Sequence, residues 1–249
     1  MKLSFKQIAA ASMFVAAGMA HATPVTINVG GSWNGLTATG SATLSFSADL
    51  LGALDTGKIA LANYGAATSV ITKDTDGFYT GASAAAPGTA ITFDDSTLQV
   101  LKVATTGGMS LTAPVVKSVS SGGSLTVTDL SADLSAKTIY ATIIGGNGVG
   151  TLTNFALWNF ATITGGTTIA GPGTYNNTIG GLTLTTDGFT KFSQALGLLS
   201  LGKSAMQGIS DYGTISSTIV ATAVPEPSTY GLMGLGLVSV ALAKRRRAA

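Results

Sequence analysis

The chain has 249 residues, with 13 Lys plus Arg against 11 Asp plus Glu, a formal net charge of +2, a mean hydropathy of +0.44 and no cysteine. Without cysteine it has no disulfides, no thiolate metal sites and no cysteine nucleophile. The only histidine is His21, the only glutamate is Glu226, and every arginine lies within residues 245–247. Residues 23–223 therefore ionise only through Asp, Lys and Tyr, which excludes histidine general-base chemistry, Ser-His-Asp hydrolysis and histidine-ligated zinc from that stretch.

At the amino end, Lys2 and Lys6 precede an apolar run from Ile8 to Met19 that closes in Ala20-His21-Ala22. Charged start, apolar middle and a small-residue end predict a secretory signal peptide over residues 1–22, cut after Ala22, with Ala20 and Ala22 as the peptidase site. The apolar run is shorter than the roughly 20 residues a membrane-spanning helix needs. Residues 23–223 are enough for one domain with a substantial core or two small ones. They carry seven lysines and ten aspartates, a net charge of −3. A weakly acidic surface without arginine is a poor partner for nucleic acid, whose binding rests on phosphate neutralisation.

Along this stretch, Leu50, Leu51 and Leu54 fall at helical spacing, predicting a short helix over Ser47 to Thr56 with Ser47 as N-cap and Gly57 near the C-cap. Asp55-Thr56-Gly57 reproduces the triplet of aspartic proteases, but it occurs once and is followed by Lys58. Asp74-Thr75-Asp76-Gly77 resembles part of a calcium loop, in which alternating carboxylates present oxygens to a hard cation. Its third acid and bidentate Glu are missing, so an Asp-Gly hairpin turn is the favoured reading, with Asp74 and Asp76 as weak calcium candidates. Asp94-Asp95 could join such a site, serve as a carboxylate of a sugar hydrolase, or act in a turn.

Glycine pairs at Gly107-Gly108, Gly122-Gly123, Gly145-Gly146, Gly165-Gly166 and Gly180-Gly181 punctuate the chain where strands are expected to turn. Between them, Leu125 to Val127, Thr138 to Ile143 and Leu182 to Thr185 alternate apolar and hydroxyl residues and predict half-buried strands. Leu152 to Ile163 carries Phe155, Leu157, Trp158 and Phe160 on both faces and predicts a central strand, with a short helix as the alternative. Asn176-Asn177-Thr178 matches a glycosylation sequon, and the general Ser/Thr richness suits a hydrated sheet surface. A second short helix is expected over Ser193 to Leu201, with Ser193 as N-cap and Gly202 near the C-cap. Phe46, Gly57-Lys58 and Tyr64-Gly65 parallel Phe192, Gly202-Lys203 and Tyr212-Gly213, hinting at an internal duplication.

At the carboxy end, Val224-Pro225-Glu226-Pro227-Ser228 is followed by a glycine-spaced apolar stretch from Tyr230 to Ala243 and then by Lys244-Arg245-Arg246-Arg247. This order resembles the PEP-CTERM sorting signal, over residues 224–249 only. The resemblance implies recognition of the Pro-Glu-Pro region by an exosortase-type membrane enzyme that removes the tail, making Pro225, Glu226 and Pro227 residues acted upon. The two prolines hold extended backbone, the apolar segment suits a transient hydrophobic helix in the inner membrane, and the four cations form a basic stop.

These readings predict an all-β, mainly antiparallel, β-sandwich-like single domain over residues 23–223. One or two short helices accompany it, together with an N-terminal signal helix and a C-terminal hydrophobic helix. By the resemblance, the protein is secreted or held at the surface of a Gram-negative bacterium through the secretion machinery. It is expected not to be an enzyme and to need no cofactor, and the resemblance implies a structural or adhesive role alongside extracellular polysaccharide, in biofilm or floc. The competing expectations are an Asp-dependent polysaccharide hydrolase and a calcium-dependent carbohydrate-binding module.

Overall fold

The computed structural model describes residues 24–224 together with Leu232, Met233 and Leu235. The first half contains β1 (Pro24–Asn28), β2 (Ser32–Trp33), β3 (Leu36–Phe46), α1 (Ala48–Thr56), β4 (Ala60–Tyr64), β5 (Thr68–Lys73), β6 (Tyr79–Asp94), β7 (Val100–Thr105) and β8 (Gly108–Val116). The second contains β9 (Ser120–Asp133), β10 (Thr138–Gly145), β11 (Gly150–Asn159), β12 (Thr162–Gly165), β13 (Gly173–Gly180), β14 (Thr183–Leu184), α2 (Thr186–Ala195), α3 (Ser200–Gln207) and β15 (Gly213–Ala223). All pairings among these strands are antiparallel, as expected of an all-β sandwich-like domain.

Two layers arise because β6 belongs to both. Its first half pairs with β3 and β5, in the layer β12-β13-β15-β3-β6; its second half pairs with β1 and β7, in the layer that continues through β9, β10 and β11. The crossing follows Pro87, the last β6 residue paired with β3, and the register to β7 shifts between Gly88 and Ala90. The buried face changes parity there, from Ala82, Ala84 and Ala86 to Ile91 and Phe93. A bulge that slips one residue turns a strand's apolar set to the other face, so one strand can serve two sheets.

The main core lies between the layers. Leu44, the three β6 alanines, Ile179 and Ile215 face Met109, Leu111, Leu125, Val127, Ile139, Ile143 and Leu157. The alternation in β10 is realised in full, with Ile139, Ala141 and Ile143 at most 1% exposed. A second cluster gathers Ile91, Phe93, Val100, Ile219 and Ala221 with Trp33, whose ring stacks on Phe93 at 5.1 Å between centroids. Both ends of the described domain border this cluster: Pro24 pairs with Asp94, and Ala223 pairs with Leu36. β15 begins beside Phe46, where α1 starts. At about 3.3 Å per residue its 11 residues carry the chain roughly 35 Å from the helical end to the end where Pro24 and Ala223 lie.

α1 starts where Ser47 accepts from the Leu50 N–H at 3.1 Å, and Gly57 caps its other end, as the leucine spacing predicts. The later helical region differs from expectation. α2 begins at Thr186 on the cap of Thr185, whose hydroxyl accepts from the Gly188 N–H at 2.8 Å, so the strand expected over Leu182 to Thr185 shortens to Thr183–Leu184. Ser193 is therefore inside α2 and not an N-cap, and Gly202 is inside α3 and not a C-cap. Gly197, at φ +62°, ends the first helix where a side chain would be strained, and the chain turns into a third helix. The residues that suggested a duplication consequently occupy different kinds of element in the two halves. The expected central strand Leu152 to Ile163 is β11 up to Asn159, paired throughout with β10 but with β14 at only two positions, while Thr162 and Ile163 begin β12 in the other layer. Four glycine pairs supply a positive φ (Gly107, Gly122, Gly165, Gly181); the turn after Gly145-Gly146 uses Asn147 and Gly148 instead.

Candidate functional sites

The aspartates come first, because they are the only carboxylates in the domain. Asp55 accepts from the Tyr79 N–H through both carboxylate oxygens, at 3.0 and 3.3 Å, and so ties α1 to β6. Asp74 Oδ1 accepts from the Asp76 and Phe78 N–H groups at 3.0 and 2.8 Å, closing the β5–β6 hairpin turn with Gly77 at φ +90°. Asp94 Oδ1 accepts from the Ser96 hydroxyl and N–H at 2.6 and 2.9 Å, and these bonds hold its carboxyl below the usual range. Asp95 accepts from the Trp33 indole at 3.2 Å. Asp129, Asp133 and Asp211 likewise accept from backbone N–H groups, Asp211 from Leu182 and Gly213 at 3.2 and 2.9 Å. Asp49 and Asp187 lie in the first turns of α1 and α2, where negative charge favours the helix. These are structural roles. Among the described residues no three His, Cys, Asp or Glu side chains gather into a metal site, so Asp94 and Asp95 do not join Asp74 and Asp76.

Between the layers lies an apolar cavity of about 50 Å³, walled on one side by Ala42, Ala84 and Ala86 and on the other by Met109, Ile139 and Trp158. Alanine on the inner face of β6 leaves this space, since two layers packing about 10 Å apart need larger side chains to meet. Trp158 is 3% exposed, and its indole N–H has no partner among the described residues. A buried unpaired donor costs about 1–3 kcal/mol.

A larger groove, about 490 Å³, opens at the helical end, where α2 and the α2–α3 junction meet the start of β9. Leu199 donates to the Val119 carbonyl at 2.8 Å and the Ser120 hydroxyl to the Leu196 carbonyl at 2.8 Å, so the junction is fastened to β9. Asn147 directs both Nδ2 protons to the Gly122 and Ala195 carbonyls, at 2.9 and 3.1 Å, and Gln194 Nε2 donates to the Asn147 carbonyl at 3.0 Å. Ser193 is 3% exposed, and its hydroxyl has no partner among the described residues. Sequence reading missed this site because its members come from three separated segments. Within the stretch expected to be one short helix, Ser193 reads as an N-cap and Lys203 only as a partner of Gly202, so neither points to a groove.

Of the sorting residues, only Val224 belongs to the described part. Its N–H donates to the Gly35 carbonyl at 2.7 Å, one step past the last β15–β3 pair. In the sequence, Pro225 follows Val224 directly. Pro225, Glu226, Pro227, Ser228, the basic residues Lys244, Arg245, Arg246 and Arg247, and the signal-peptidase positions Ala20 and Ala22 lie outside the described residues, as does the expected signal helix. In the tail Leu232, Met233 and Leu235 are helical. Among the described residues no helix is long and apolar enough to cross a membrane.

The family described as the PEP-CTERM protein-sorting motif matches residues 223–247. The chain carries this motif, which implies recognition by an exosortase and export through the membrane to the cell surface. No curated protein matches the chain. Among solved structures it is similar to the C-terminal domain of HtaA from Corynebacterium glutamicum, at 9% identity and a TM-score of 0.43, over 74% of this chain and 99% of that one.

Proposed function

We propose that the protein is a secreted or surface-held component of the extracellular matrix of a Gram-negative bacterium. It leaves the cell through the secretion machinery, guided by residues 1–22. The tail then holds it briefly in the inner membrane until an exosortase-type enzyme acts at Pro225-Glu226-Pro227. The β-sandwich of residues 23–223 is a non-catalytic module with a structural or adhesive role alongside extracellular polysaccharide, in biofilm or floc. The observation that carries this reading is the junction: the matched motif begins at Ala223, where the last pair of β15 ends, so domain and sorting motif abut in the sequence without a spacer. Placing the helices and the groove roughly 35 Å from that junction supports display of the opposite end. The structural use of the aspartates supports a module without hydrolytic chemistry.

An in-frame replacement of residues 23–223 by an unrelated exported domain, keeping both terminal signals, tests the role. Loss of matrix cohesion, with the replacement protein still reaching the surface, is expected. Unchanged cohesion in the native producer would contradict a structural or adhesive role.

A further inference from the structure

The groove at the helical end has the chemistry of a saccharide site. Its lining includes Ser121, Asn147, Phe189, Ser193, Gln194 and Lys203. With both Nδ2 protons of Asn147 and one Nε2 contact of Gln194 directed at backbone carbonyls, the side-chain oxygens of both amides remain as acceptors. Those same bonds fix the two amide planes, so the acceptors are pre-oriented and lose little entropy on binding. Ser193 adds a donor that is buried, unpartnered among the described residues and within the lining. A buried hydroxyl without a partner is a cost that a ligand oxygen can relieve. Phe189, partly buried against the core, contributes an apolar wall. A few fixed polar groups around an apolar wall make a site for a small polar molecule with an apolar face, and a pyranose ring has that character.

Charge narrows the class. Among the described residues Lys203 is the one ionisable group of the groove lining, and its ammonium takes part in no ion pair; the ion pair that the described residues do form, Lys102 with Asp133 at 3.5 Å, lies beside Pro24 and Thr26, away from the groove. No described carboxylate lines the groove, although the domain as a whole is acidic. A lone cation in such a place favours an anionic ligand, whose carboxylate would receive a charge-assisted hydrogen bond. The groove also lies at the end away from the sorting junction, where a matrix polymer would be met. We infer that this groove binds an acidic saccharide, with a uronate carboxylate on Lys203 and ring hydroxyls on Asn147, Ser193 and Gln194. The inference deepens the adhesive reading above and depends on it for context.

The test is calorimetric titration of the full chain, purified in mild detergent, with a galacturonate trisaccharide and, separately, with the neutral maltotriose. The expected result is binding of the uronate oligomer, at least tenfold weaker in Lys203→Ala and abolished by Thr190→Trp, which fills the groove from the solvent side of α2. Lys137→Ala, at a surface turn elsewhere, leaves affinity unchanged, and circular dichroism checks that each variant is folded. No uronate binding, equal affinity for maltotriose, or uronate binding indifferent to Lys203→Ala would overturn the inference. Normal export and tail processing beside absent uronate binding would sink this site alone. Uronate binding beside an unprocessed tail would instead sink the sorting account.

Discussion

Replacing Ala84 with Val should stabilise the domain. Ala84 lies on the inner face of β6, opposite Leu44 of β3, and walls the cavity of about 50 Å³ between the layers. Cavity cost runs at about 24 cal/mol per Å³, so this space is worth about 1 kcal/mol. The two added methyl groups bring up to about 0.8 kcal/mol each if they are buried without strain, and a β-branched side chain suits a strand. The net expectation is a gain of about 1 kcal/mol, or an upward Tm shift of about 2–4 °C in a domain of this size. Thermal unfolding followed by circular dichroism reads the shift, and Ile139→Ala, at 0% exposed on the opposite wall, serves as the contrast. That variant enlarges the cavity and should lose about 2–5 kcal/mol. If Ala84→Val lowered Tm, and Ala86→Val lowered it equally, the inner face of β6 would be closely packed and the alanine-walled cavity would be wrong.

Trp158→Phe removes a buried N–H that has no partner among the described residues but leaves a smaller ring in the cavity wall, so the relieved donor and the added void should offset and urea titration should show a change within about 1 kcal/mol; a loss beyond about 3 kcal/mol would mean the indole is bonded after all. Ser47→Ala removes both the α1 cap and the bond to the Asp211 carbonyl, at 2.6 Å, and should cost about 1–2 kcal/mol in the same titration. Burial pushes the Tyr212 hydroxyl up to about 12 from an ordinary 10.0, so its contribution is complete below pH 10 and is lost as pH rises from 10 through 12. Tyr212→Phe should flatten that alkaline decline. The lowered Asp94 carboxyl works with the opposite sign: its contribution is present above the unfolded carboxylate pKa and is lost as pH falls through the folded value, a loss that Asp94→Asn should remove from an acid titration.

Where a physical signal was local, the sequence carried it. Alternation over Thr138 to Ile143 became a strand with every second residue buried, and Ser47 ahead of three spaced leucines became a capped helix. Errors arose where two local signals competed. Thr185-Thr186-Asp187-Gly188 offers a helix cap immediately after an alternating Leu-Thr run, and the cap shortened the strand. Phe192, Leu196 and Leu199 have helical spacing, yet Gly197 divides them between the end of one helix and the approach to another. The sharing of β6 by two layers depends on a register slip between Gly88 and Ala90 that the residue pattern shows only as a change of parity. The groove was the least legible feature, because Asn147, Gln194 and Ser121 meet only after β9, β10 and α2 have packed together.

Intact-mass spectrometry of the protein from cells and medium tests the central claim most directly, comparing a strain with exosortase activity against one lacking it. A mature species beginning near Thr23 and ending within Val224 to Ser228, present in the first strain and absent from the second, is the predicted result. A chain that keeps Tyr230 to Ala249 in both strains would contradict it and make the tail a permanent anchor.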